Sequence, residues 1–197
     1  MSSGTMLHLQ TPLSKAVQSL FERAMPLVEG KSPGTLKIYV FGGCAMHILT
    51  NARGSADVDA EIRASEHLLV QEIKTVLLAP EDYEEDGHDL SVVFDQGFNN
   101  SLCPLHEDYD ERAILLPGQE NASMQVYIAN PFDLAISKLG RFTDRDREDI
   151  LTLIRKLGLD LERLDKLATE AIDYYPCDKA TVISYLRIIL DEAKQKR

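Results

Sequence analysis

Residues 38–62 read IYVFGGCAMHILTNARGSADVDAEI. The apolar run Ile38, Tyr39, Val40 and Phe41 has the composition of a short strand, and Gly42-Gly43 stops it where a brief helix, CAMHILTN, begins. The first amides of a helix lack intrahelical partners, and glycines without Cβ atoms let an anion reach them, so phosphate suits this turn. Gly54 is placed to follow the helix in a left-handed conformation, and ADVDAEI reads as the next strand. Side chains alternate along a strand, so Asp57, Asp59 and Glu61 are expected on one face, with successive Cα atoms about 6.7 Å apart. Hard oxygen ligands in that array favour Mg2+ or Mn2+, and Mg2+ usually takes one or two carboxylates plus substrate phosphate oxygens. Asp57 and Asp59 are therefore the expected metal ligands, and Gly42 and Gly43 the expected phosphate contacts. Either block alone also fits an ordinary turn or a solvated strand face. Together they point to nucleotidyl transfer from a nucleoside triphosphate.

The chain has 197 residues, 44% apolar and 27% charged, which suits one compact domain or a small domain with a helical extension. A formal net charge of −11 argues against nonspecific coating of nucleic acid, which needs a basic face. No apolar run approaches the about 18 residues that span a bilayer. The opening MSSGTMLHLQ has neither a basic nor an apolar leader region, so a cytoplasmic protein without membrane contact is expected. Cys44, Cys103 and Cys177 are scattered without a C-x-x-C pair and read as buried free thiols.

Upstream, TPLSKAVQSLFERAMPLVEG reads as one helix capped by Thr11, with Leu20, Phe21, Met25 and Val28 at helical spacing. Downstream, Ser65 starts a helix carrying Leu68, Leu69, Ile73, Val76 and Leu77, which Pro80 closes. DLSVVFDQ, ERAILLPG and ASMQVYIAN read as further strands. From Asn130 the pattern turns wholly helical. Asn130 caps one helix, Thr143 starts the next, Gly158 stops it, and two more follow. The expected fold is α/β in the α+β sense: a mixed sheet flanked by helices over residues 1–129, then an all-helical region over 130–197.

The pattern GG-x13-D-x-D resembles the signature of the nucleotidyltransferase fold, and it predicts that fold for the mixed sheet. More narrowly, Arg53-Gly54-Ser55-Ala56-Asp57-Val58-Asp59 is similar to the matching block of AbiEii-like and related uncharacterised bacterial nucleotidyltransferases. Those families carry a later helix with a lysine, an arginine-aspartate pair and another aspartate. Here NPFDLAISKLGRFTDRDREDILTL offers Lys138, Arg141, Arg145, Asp146 and Asp149 in that order. The resemblance implies transfer of a nucleotide from a nucleoside triphosphate to an acceptor hydroxyl of tRNA, a protein or a small molecule, releasing pyrophosphate. Some members act as the toxin of a toxin–antitoxin pair, which would add an antitoxin partner, and self-association is an alternative. Carried over by residue, Asp57 and Asp59 bind metal and are catalytic with Lys138, which neutralises the triphosphate. Gly42, Gly43, Arg53, Ser55 and Arg145 contact the nucleotide.

Asp146 and Asp149 are expected on different faces of their helix, where Arg145, Arg147 or Lys156 can pair with them. Many members of the fold add a third carboxylate, for which Asp95 and Glu61 are the candidates here. His47, His67, His88 and His106 lack metal-ligand spacing, and Ser101, Cys103 and His106 lack an oxyanion glycine motif. Tyr174 and Tyr175 read as packing residues at a helix end. A second reading stands beside the enzyme: a module of the same fold that binds nucleotide or a protein partner without turnover.

Overall fold

The structure is a computed structural model that describes residues 5–65, 67–99 and 103–195. Its contacts divide the chain into two units. One comprises Met6–Phe98 and Ala113–Ala129; the other takes in Thr5, Asn99, 103–112 and 130–195. Among the described residues no helix is long and apolar enough to cross a membrane.

The first unit is built on two sheets. In the larger, β1 (Leu36–Val40) runs antiparallel to β3 (Ala60–Ala64) and parallel to β7 (Met124–Ile128), which pairs in turn with β6 (Ile114–Leu115). Leu36, Ile38 and Val40 are fully buried, as expected of a central strand flanked on both sides. The smaller sheet orders β2 (Asp57–Val58), β5 (His88–Phe94) and β4 (Glu81–Glu85), with β2 parallel to β5. Among the described residues, four helices accompany the sheets: α1 (Pro12–Glu22), α2 (Met25–Val28), α3 (Gly42–Thr50) and α4 (His67–Val76). Thr11 caps α1 by accepting from the Ser14 amide, and Leu20 and Phe21 of α1 are buried completely.

Five local expectations are corrected. The single helix read from Thr11 to Gly30 is two, because the chain breaks after Glu22 and Pro26 enters a separate turn; Met25 is left 52% exposed. Asn51, with φ 48 and ψ 35, takes the left-handed position after α3, whereas Gly54 is a packing glycine whose added Cβ would lie 2.2 Å from Leu13 Cδ2. ADVDAEI is interrupted at Asp59, since β2 joins one sheet and β3 the other. Glu81–Glu85 forms a strand that patterning on charged residues hid, in a hairpin turned by Asp86 (φ 53) and Gly87 (φ 77). Glu111 and Arg112 end a short helix, α5 (Tyr109–Arg112), so ERAILLPG supplies only the two residues of β6. The helix read from Ser65 is described over His67–Val76 as α4, residue 66 lying outside the described residues.

The second unit is helical: α5, α6 (Pro131–Ser137), α7 (Asp144–Leu157), α8 (Leu161–Tyr174) and α9 (Lys179–Gln195). Asn130 accepts from the Phe132 amide at the start of α6, Thr143 and Asp146 form a reciprocal capping box on α7, and Gly158 (φ 63) ends it. Leu134, Ile136, Leu139, Ile150, Leu153 and Ala168 are buried. Arg112 donates twice to the fully buried Asp133, at 2.7 and 3.0 Å, pinning α5 to α6.

Candidate active site

The glycine turn and the acids meet in the first unit. Phe41 N–H donates to the Asp59 carbonyl at 2.8 Å, which brings the end of β1 beside the residue where the chain passes from β2 to β3. Gly42 then adopts φ +59, and a Cβ added there would meet Asp59 Oδ2 at 1.7 Å. A side chain at that position is excluded by both the backbone and the carboxylate. At Gly43 an added Cβ would meet Ser55 Cβ at 2.5 Å and an Arg53 guanidinium nitrogen at 3.2 Å. Ser55 Oγ in turn accepts from the Asp57 amide at 3.2 Å. Gly42, Gly43, Arg53, Ser55, Asp57 and Asp59 are thereby brought into one neighbourhood at the start of α3. Its first amides carry the positive end of the helix dipole.

Asp57 is exposed and Asp59 half-buried. Beneath them Cys44, buried completely, points its thiol at the carbonyls of Ser55 and Asp57, each at 3.5 Å. Burial, with the charges of Asp59 and Asp57 adding to it, pushes the thiol up to about 12. It stays protonated and serves as a weak donor holding the acid-bearing segment against α3. Sequence patterning classed this residue as a free thiol, and only its tertiary neighbours reveal the contact.

The candidates for a third carboxylate differ. Glu61 is ion-paired with Arg63 at 2.9 Å and lies across from Tyr39 in the larger sheet. Asp95 follows β5; its amide donates to the Val58 carbonyl at 3.1 Å, next to Asp59, while its Oδ1 accepts from Gly97 N–H at 2.7 Å. Among the described residues no group of three or more acids, histidines and cysteines is disposed to hold a metal. Asp57 and Asp59 are the residues here that could hold a cation, and a pair suits one that completes its shell with water and substrate oxygens.

In the second unit, Lys138 is buried and its Nζ lies 2.7 Å from Asp149 and 3.6 Å from Asp146. Asp146 also accepts from Arg141 at 2.8 and 2.9 Å and from Thr143 at 2.7 Å. Burial would raise the Asp146 carboxyl, but the hydrogen bonds from Arg141 and Thr143 and the Lys138 charge outweigh it and hold the carboxyl well below the usual range. The two aspartates therefore share one face, as residues three apart on a helix do, which corrects the expectation that they diverge. Their partners include Lys138 and Arg141. Arg147 instead pairs with Glu192 at 2.6 Å, and Arg145 is exposed.

A family model described as Nucleotidyltransferase of unknown function (DUF6036) matches residues 15–196. The chain belongs to that family. The match runs from α1 through α9, so it takes in the glycine turn, the Asp57 and Asp59 pair and the Lys138 helix pair of this DUF6036 member. It bears out the nucleotidyltransferase resemblance, while the narrower AbiEii-like likeness is not part of it. No curated protein matches the chain.

Among the remaining singled-out residues of this DUF6036 member, His106 has structural partners. His106 accepts from the Asp108 amide at 3.1 Å through Nδ1 and contacts Glu170 at 3.2 Å through Nε2, so both ring nitrogens are engaged and neither can serve Cys103 as a base. Ser101 lies outside the described residues. Cys103 is half-buried and Cys177 exposed, so of the three thiols only Cys44 is the buried one expected. Tyr175 is buried, and Tyr174 is 66% exposed rather than packed.

Proposed function

We propose that this DUF6036 protein is a metal-dependent nucleotidyltransferase that moves a nucleotide from a nucleoside triphosphate to an acceptor hydroxyl. The observation that carries this reading is the 1.7 Å approach of Asp59 to the Cβ position of Gly42, which sets a carboxylate directly against a side-chain-free helix start. A polyphosphate and a carboxylate at one spot repel unless a cation lies between them, and Asp57 and Asp59 would hold it. When bound, Mg2+ or Mn2+ would neutralise phosphate oxygens and polarise the α-phosphorus.

The chain's own groups would act as follows. The α3 amides beyond Gly42 and Gly43 receive phosphate oxygens, favoured by the helix dipole. Arg53 adds positive charge beside the turn, and Ser55 fixes the Asp57 backbone. The acceptor hydroxyl would give its proton to water, its oxygen would join the α-phosphorus as the bond from that phosphorus to the α,β-bridging oxygen breaks, and pyrophosphate would leave with that bond's electrons. For Lys138 to neutralise the triphosphate, as the resemblance implies, it would exchange Asp146 and Asp149 for phosphate oxygens; Arg145, exposed at the start of α7, is already open to solvent.

A second reading, binding of nucleotide without transfer, is favoured by one observation: among the described residues no third carboxylate joins Asp57 and Asp59 in a metal-binding group. One assay separates the two. The protein is incubated with Mg2+ and each α-labelled triphosphate in the presence of tRNA, cell protein or a small-molecule extract. Label transferred to an acceptor, and reduced at least about 100-fold in Asp57→Asn and Asp59→Asn, supports the enzyme. Saturable triphosphate binding with no transfer supports the module, and absence of both sinks either. The toxin–antitoxin role implied by the AbiEii-like resemblance predicts growth arrest on expression that an adjacent gene relieves.

A further inference from the structure

A cavity of about 470 Å3 lies beside the candidate active site in the first unit, lined among others by Leu13, His47, Arg53, Tyr83, Glu85 and Leu90. Its size falls within the range of small-molecule sites. Its chemistry is uneven. Leu13 and Leu90 supply apolar walls, Tyr83 an aromatic ring and Glu85 a half-buried carboxylate. Among the described residues the Glu85 side chain has no hydrogen bond or ion pair. A carboxylate at the cavity wall without a protein donor is free to accept from an N–H of a ligand.

His47 adds an independent mark. The residue is 7% exposed, and its Nε2 lies 2.8 Å from Thr11 Oγ1. Its buried Nδ1 makes no well-aligned hydrogen bond among the described residues, although the Arg53 backbone lies near enough to act on the ring. Burial lowers the imidazole pKa, against the opposing pull of Glu85, so the ring adds no cation to neutralise that carboxylate. Arg53 also lines the cavity, but it donates to the Gly54 carbonyl at 3.1 Å and faces the glycine turn.

We propose that this cavity is a second binding site, for a small molecule that sets an amino group against Glu85 and a ring or aliphatic body against Leu13, Tyr83 and Leu90. Arg53 and Ser55 line both this cavity and the glycine turn, so the site adjoins the proposed nucleotide site while its own contacts come from Glu85, Leu13, Tyr83 and Leu90. Two sources carry an amino donor on a compact body: a cationic aryl amine and an amino-bearing nucleobase.

Calorimetric titration of the full chain with tyramine in one arm and adenosine in the other tests it. Saturable binding of either probe, weakened about tenfold or more in Glu85→Gln and abolished by Leu90→Trp, is the expected result. Leu90 is 41% exposed, so the larger ring can fill the cavity without entering the core. Binding of tyramine alone identifies a cationic amine, and of adenosine alone a nucleobase. Glu84→Gln, at an exposed neighbour outside the cavity lining, should leave the affinity unchanged. No binding of either probe at millimolar concentration, or binding indifferent to Glu85→Gln and Leu90→Trp, overturns the proposal.

Discussion

Asp59 Oδ2 stands 1.7 Å from where a Cβ of Gly42 would be, so the two residues are mutually exclusive of any side chain at position 42. The same glycine holds φ +59, which costs an L-residue roughly 1–2 kcal/mol. Gly42→Ala should therefore destabilise the protein by at least that amount and displace the Asp59 carboxylate. Urea unfolding reads the first effect, and loss of Mg2+-dependent triphosphate binding the second. An alanine variant with unchanged stability and binding would contradict the geometry.

Gly54 and Leu13 form a size-matched pair, because an added Cβ would come within 2.2 Å of Leu13 Cδ2. Overpacking of this kind costs typically about 1–3 kcal/mol. Gly54→Ala should lower the unfolding free energy by that order, and a Gly54→Ala, Leu13→Ala double variant should recover much of the added clash. A double-mutant cycle gives the coupling; additive penalties would mean that the two residues do not meet.

Lys138 balances two buried carboxylates, Asp146 and Asp149. Removing one partner of a buried ion network typically costs about 3–5 kcal/mol, because uncompensated charge stays behind. Lys138→Met should therefore destabilise the fold by that order in chemical denaturation. If it abolishes nucleotide transfer while stability is untouched, Lys138 serves the substrate instead.

The Asp146 carboxyl sits below its ordinary value in the folded chain. A group depressed in this direction stabilises the fold above its unfolded pKa of about 4 and loses that contribution as pH falls toward the folded value. Unfolding free energy should therefore drop between about pH 5 and pH 2. Asp146→Asn should flatten the slope in that window while lowering stability at neutral pH. An unchanged slope would show that Asp146 is not held ionised by Arg141, Thr143 and Lys138.

Much of the local structure was legible in order. Thr11, Asn130, Thr143 and Gly158 mark helix ends at the positions the structure gives, because capping is settled by side chains within a few residues of the backbone they bond. Gly42 and Gly43 were legible for the same reason, as a stop to an apolar strand. Asp86-Gly87 was an equally local hairpin signal and went unread beside the charged run Glu81–Glu85, whose strand is held by β5 and not by its own composition.

What the chain order alone determined is the pairing of a glycine helix start with two acids a short distance downstream, since strand, turn and helix preferences act over neighbouring residues. Tertiary structure decided the rest. The acid strand divides at Asp59 because Asp57 and Val58 hydrogen-bond into one sheet and Ala60 to Ala64 into another. Lys138 faces Asp146 and Asp149 because packing of α6 and α7 brings them together. Such partners are chosen by long-range backbone pairing and burial, which no run of neighbouring residues encodes.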